Sequence, residues 1–194
     1  MRLVRPTLEH LPSYVSALGG GWSADNVRGV LAANEELAVI RADPDLFLAR
    51  LDDIEARGPG VTLPDGSVVP RIPGLRRWMW DDQADSRAQN NDRFIGSINL
   101  RWMAGGGPLP AHVLGHIGYA VVPWHAGRGH ATQALGQMLA VARAQGLTSV
   151  ELTTDPDNLP SQRVITHNGG VLIEVFDKGP AYMNKTGLRF RIDL

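Results

Sequence analysis

Apolar residues fall at 131, 134, 135, 138, 139 and 142, the one-sided stripe of an amphipathic helix. Gly146 ends that pattern, and "LTSVELTT" then reads as a strand. Just before the stripe, "HIGYAVV" also reads as a strand, so this stretch predicts a strand–helix–strand crossover with its two strands parallel. Further on, "SQRVITHNGG" predicts a shorter helix, and "VLIEVF" with "GLRFRIDL" a closing antiparallel pair.

The N-terminal third has a different pattern. "RLVRP" predicts a short first strand closed by Pro6, followed by helical spacing over residues 7–18 that Pro12 interrupts and three glycines end. Ser23 is positioned to cap a helix reaching Asn34. "DPDLFLARLDDIEARG" predicts a helix capped by Asp43, with Pro44 in its first turn and Gly58 as its stop. "VTLPDGSVV" places two β-prone arms around Asp65-Gly66 and predicts a hairpin, after which "RRWMW" and "RFIGSINLRW" predict two antiparallel strands joined by a polar loop. The expected fold class is α/β of the α+β type, a mixed and mostly antiparallel sheet flanked by helices. One domain over residues 1–194 is expected, with residues 1 to about 74 mostly helical.

Composition narrows the function. The 19 basic and 20 acidic residues leave a net charge of −1, which supplies no bulk attraction to nucleic acid or to an anionic membrane. The chain has no cysteine, which excludes disulfides, thiolate metal sites and a cysteine nucleophile. No window approaches the roughly 18 apolar residues of a membrane span, and "MRLVRPTLEHL" has no apolar run of signal-peptide length. A cytoplasmic protein without nucleic-acid or membrane partners is expected. The oligomeric state is left open, a homodimer included.

The chemistry concentrates where the strand meets the long helix, through Pro123-Trp124-His125-Ala126 and then Gly127-Arg128-Gly129. Two glycines at a turn serve tight packing or the approach of an anion. A helix starting there leaves its first N–H groups unpaired and presents its positive dipole end, while Arg128 adds charge, all of which suits a pyrophosphate. A dinucleotide fingerprint is considered because Glu151 lies 22 residues after Gly129, but Thr132 stands where its third glycine belongs. No GxxxxGK[ST] occurs, which excludes a Walker loop.

Residues 75–194 resemble the GNAT superfamily of N-acetyltransferases. The family hallmark Arg/Gln-x-x-Gly-x-Gly/Ala is matched by "AGRGHA" at Gly129 and Ala131, after "AVVP" and before the long helix. An Asn ending the next strand with a small residue three positions on is matched by Asn158 and Ser161 in "DNLPS", and "NGG" at 168–170 stands where the family ends its last helix. Two positions depart from the pattern: Ala126 replaces the usual Arg or Gln, and Ile165 stands where many members carry a tyrosine that protonates the departing thiolate.

The resemblance implies acetyl-CoA as cosubstrate and a primary amine, in a small molecule or peptide, as acceptor. It implies that the pyrophosphate rests on Gly127, Arg128, Gly129, His130, Ala131 and Thr132. The pantetheine arm would pair with backbone that includes Val121 and Val122, supported by Asn158. Pro123 cannot donate to a ladder, which suits strands parting there, and an N–H near Val122 is the expected oxyanion donor. An amine with a pKa of about 10.4 needs a base. His116 is the first candidate, beside the alternative of a satisfied core histidine, and Tyr119 is a packing residue or an acid; Tyr182 and His167 rank below them. A catalytically silent acyl-CoA-binding module is the rival function. No metal is expected: His112 and His116, or His125 and His130, lack a ligand cluster. Trp78, Trp80 and Trp102 read as core or cleft wall, and Asp81, Asp82 and Asp85 as solvated charges or attractants for a cationic acceptor.

Overall fold

The computed structural model describes residues 1–62, 66–82 and 93–194. In chain order the elements are β1 (Arg2–Val4), α1 (Leu11–Gly19), α2 (Val30–Ala42), α3 (Pro44–Ala49), β2 (Asp52–Asp53), β3 (Val61–Thr62), β4 (Val68–Val69), β5 (Gly74–Trp80), β6 (Phe94–Arg101), β7 (Ile117–Val121), α4 (His130–Ala144), β8 (Ser149–Thr154), α5 (Leu159–His167), β9 (Val171–Asp177) and β10 (Thr186–Asp193). The chain forms two compact units: residues 1–52, 75–99 and 119–134 make the first, and 53–74, 100–118 and 135–194 the second.

The first unit is built on a sheet ordered β1-β5-β6-β7, with β2 also paired to β5. β1 runs antiparallel to β5, Arg2 opposite Trp80 and Val4 opposite Trp78. Its core is aromatic: Tyr14 on α1 stacks on Trp78 at 4.2 Å, and Phe94 meets both Tyr14 and Trp22 edge-on at 5.1 Å. The Tyr14 hydroxyl donates to Glu36 on α2, which also accepts from Arg76 Nη1 at 3.2 Å on β5. Burial holds the Tyr14 hydroxyl protonated, with a pKa far above its ordinary value. Trp78 and Trp80 belong to this core.

The second unit contains the sheet β8-β10-β9 and the small ladder β3-β4. β10 is antiparallel to both neighbours, with Phe190 opposite Leu152 on one side and Leu172 on the other. Val150, Leu152, Phe190 and Ile192 are buried, as are Leu135, Met138, Leu139 and Ala142 of α4. The expected hairpin is present as Val61 opposite Val69 and Thr62 opposite Val68. Asp65 of its turn lies outside the described residues.

Several local expectations are corrected. Pro12 starts α1 rather than interrupting it, since a first-turn proline costs no helical hydrogen bond. The second helix begins at Val30, not beside Ser23. Asp25 Oδ1 accepts from Val27 and Arg28 N–H at 3.0 and 2.9 Å, holding a turn that Gly29 leaves at φ +52°. The third helix keeps its Asp43 cap, 2.9 Å from Leu46 N, but stops at Ala49 instead of running to Gly58. Beyond it, Leu51 O accepts from Arg76 N–H at 2.8 Å and β2 joins β5, so strand pairing captures what periodicity reads as helix.

The crossover is changed too. β8 is not the parallel ladder partner of β7; the two strands fall in different sheets. His116 explains where a ladder would stop. Its N–H donates to Glu151 O at 2.7 Å, and its ring Nδ1 accepts from Glu151 N–H at 3.0 Å. A side chain has taken the donor that a parallel ladder would give to a backbone carbonyl.

Candidate active site

The turn before α4 lies in the first unit. Gly127 and Gly129 adopt φ +74° and +77°, the left-handed region where a Cβ costs roughly 1–2 kcal/mol. A Cβ built on either meets nothing within 4 Å, so their glycines answer to backbone conformation and leave open space over the turn. At the start of α4, Gln133 N–H donates to Gly129 O at 3.1 Å. The N–H groups of Gly129, His130 and Ala131 therefore precede any intrahelical acceptor. Arg128 is exposed, with Nη1 3.5 Å from His125 Nδ1. His130 Nδ1 is buried and has no hydrogen-bond partner among the described residues. Burial first, then the electrostatic influence of His125, the terminal amine and Arg128, lower the His130 pKa; Asp81 opposes them. The turn is an electropositive cradle with donors in place and space above them.

β7 is the terminal strand of its sheet. Val122 is fully buried and its N–H donates to Ile95 O at 2.9 Å, so the expected donor at Val122 is spent within the protein. Successive strand residues point their amides to opposite sides. The Val121 N–H consequently points away from β6, toward the open edge. Tyr119 sits half-buried on the same strand.

The second unit holds His116 and Asn158. His116 lines a groove of about 560 Å³ with Glu151, Glu174, Arg189 and the Gly106-Gly107-Pro108 loop. Arg189 spans both carboxylates there, 2.7 Å from Glu174 and 3.1 Å from Glu151. Burial lowers the His116 pKa, against a smaller raising influence from Glu151. Because Nδ1 accepts the Glu151 amide, the neutral ring carries its proton on Nε2. The lone pair a general base needs is already used, and protonating it would set N–H against N–H. In this geometry His116 clasps two chain segments together through its ring and its backbone N–H. Asn158 caps α5, its Oδ1 accepting Ser161 N–H at 3.1 Å, which leaves only its amide N–H groups for a ligand. Ile165 is in the core, packed under Gly170.

Among the other candidates, Trp102 is buried. Asp82 is paired to Arg2 at 2.7 Å, so its charge is compensated within the chain. Asp85 lies outside the described residues. Among the described residues no three His, Asp or Glu side chains are grouped to hold a metal ion, and no helix is long and apolar enough to cross a membrane.

Solved structures with the same architecture are acetyltransferases at low sequence identity. A Vibrio cholerae protein described as a ribosomal-protein-serine acetyltransferase aligns over 99% of this chain and 92% of its own, with TM-score 0.58 and 15% identity. RimL, a ribosomal L7/L12 alpha-N-protein acetyltransferase solved with coenzyme A, aligns over 99% and 93%, with TM-score 0.58 and 12% identity. The microcin C7 self-immunity acetyltransferase MccE, solved with acetyl-CoA and AMP, aligns over 99% and 91%, with TM-score 0.56 and 11% identity. These likenesses define the fold: mixed α/β, with antiparallel sheets, of GNAT type. The model of the acetyltransferase (GNAT) domain matches residues 71–171, more than half of the chain. The chain belongs to the GNAT acetyltransferase family and is an acetyltransferase. No curated protein matches it in sequence.

Proposed function

We propose that the protein transfers the acetyl group of acetyl-CoA to a primary amine. One observation carries the reading: the left-handed Gly127-Arg128-Gly129 turn, which opens a helix with no side chain on the residue before it, beside positive charge and after a terminal strand. Backbone N–H groups of Gly129, His130 and Ala131, with Arg128, would hold the pyrophosphate; Gly127 and Thr132 flank them. The outer edge of β7 would pair with the pantetheine arm. Acetyl-CoA supplies the acetyl group as an activated thioester. With Val122 engaged, the Val121 N–H takes over the role of donor to the carbonyl oxygen as it gains charge. The Tyr119 hydroxyl is the proposed proton source for the departing sulfur, since Ile165 cannot supply one.

The acceptor follows from the base. With the His116 lone pair spent, the chain favours an amine that is already partly neutral. At pH 7 about one α-amino group in ten is neutral, against about one lysine side chain in 2,500. We infer that the acceptor is a low-pKa amine, such as the α-amino group of a peptide or protein. RimL, of like fold, is named for that chemistry. A cytoplasmic location suits such substrates.

The test is calorimetry with acetyl-CoA, CoA and NAD, followed by a CoA-release assay across peptide α-amines, lysine side-chain amines and small amines. Binding of the CoA species alone, with turnover fastest on α-amines, supports the reading. Tighter binding of NAD would remove it, and CoA binding without turnover on any amine would favour a silent binding module.

A further inference from the structure

The groove at His116, within the second unit, holds polar capacity that the fold does not consume. His116 is only 9% exposed, and its Nδ1 is taken by Glu151 N–H. Among the described residues its Nε2–H meets no acceptor, and Nε2 is not one of their buried unpaired atoms. The atom therefore opens on the space that the ring lines, which is the groove. A donor on a side chain this deeply buried calls for an acceptor.

Two carboxylates complement it. Glu174 Oε2 accepts from Arg189 Nε at 2.7 Å, and Glu151 Oε2 accepts from Arg189 Nη1 at 3.1 Å. The Oε1 atom of each accepts from no described side chain, although a carboxylate has about four lone-pair positions. One guanidinium faces two carboxylates, so one negative charge is left over, and the neutral His116 ring does not offset it. Arg189 is held in turn, 4.4 Å over the Phe176 ring, which fixes both of its partners. Another wall is the backbone of Gly106 and Gly107, where a Cβ would meet nothing within 4 Å. At about 560 Å³ the groove has the volume of a small-ligand site.

We infer that this groove binds a peptide segment through one basic side chain. The guanidinium or ammonium donates to the open oxygens of Glu151 and Glu174, and a main-chain carbonyl beside it accepts from His116 Nε2–H. The surplus carboxylate charge disfavours an anion, and an apolar ligand would strip water from the His116 donor without replacing it. A simple amine would satisfy the carboxylates and leave that donor unmet. A peptide supplies the cation and the carbonyl from one residue. Such binding needs no cofactor and stands apart from acetyl transfer.

Two tripeptides blocked at both ends, acetyl-Ala-Arg-Ala-amide and acetyl-Ala-Gln-Ala-amide, isolate the inference, since neither carries an amine to acetylate. Titrated into the full chain, the arginine peptide should bind about fivefold more tightly than the glutamine peptide, the upper range for one exposed ion pair. The His116 Nε2 resonance, followed by imidazole nitrogen NMR, should shift as the arginine peptide binds. Glu174→Gln alters a half-exposed side chain and leaves Glu151 to hold Arg189, so circular dichroism should not change. In that variant the preference for the arginine peptide should fall below about twofold. Equal binding of both peptides, or binding of neither at millimolar concentration, overturns the inference. So does an unmoved His116 resonance, or a Glu174→Gln variant that keeps the full preference.

Discussion

The helices α4 and α5 each follow a strand, and their N-termini are finished in opposite ways. α5 begins with Asn158, whose side chain satisfies Ser161 N–H, and with Pro160, which has no N–H to satisfy. α4 begins after a left-handed glycine, and no Ser, Thr, Asp or Asn precedes it to act as a cap. A side-chain cap is worth about 1 kcal/mol, so leaving one out has a cost. The α5 terminus is closed by its own sequence. The α4 terminus keeps its donors, adds Arg128 and His130, and leaves space above the turn. A helix end that stabilises the fold spends its amides internally, and one that serves a ligand leaves them available.

The sharpest way to break this comparison is to fill the open terminus. Gly129→Val should reduce CoA affinity at least a hundredfold by calorimetry, because the branched side chain occupies the anion's place. A Cβ at this position meets nothing within 4 Å. Its left-handed φ should still lower the melting temperature by several degrees. CoA affinity within threefold of the parent would refute the anion role of the turn.

Closing the argument from the other end, Asn158→Ala should cost about 1 kcal/mol of stability, or roughly 2–4 °C in melting temperature, with CoA affinity almost unchanged. The reverse pattern, a large affinity loss with an unchanged melt, would assign the Asn158 amide to the cofactor.

Arg128 lies between these extremes of role but has a smaller effect. It is exposed and acts through water, so Arg128→Gln should weaken CoA binding about threefold to tenfold. The salt dependence of binding should flatten with it. An unchanged salt slope would mean that the backbone donors act alone.

The smallest effect concerns His116. Its pKa is lowered in the folded chain, first by burial, so the unfolded chain binds the proton more readily. The resulting penalty is absent above the unfolded pKa of about 6.5 and grows as pH falls through it. His116→Gln keeps an acceptor for Glu151 N–H without titrating. It should remove part of the loss in melting temperature between pH 7 and 5, and leave turnover within about threefold of the parent. A drop of two or more orders of magnitude, recovered at high pH, would restore His116 as the base.

Much of this was legible without coordinates because it depends on neighbours in the chain. The α4 stripe, the Asp43 cap, the β9–β10 pair and the glycine turn each rest on residues within a few positions of one another. The failures share the opposite character. Helix spacing over residues 50–58 is real, yet Arg76, far along the chain, takes the Leu51 carbonyl and strand pairing prevails.

The sequence alone therefore determined the family, most of the order of elements and the left-handed glycine turn, since glycine conformation and helix periodicity are properties of short segments. Tertiary structure decided which polar atoms remain available. Ile95 claims the Val122 amide, and Glu151 claims the His116 lone pair. Each decision turns on a hydrogen-bond partner at least 25 residues away, and a donor or acceptor can be spent only once.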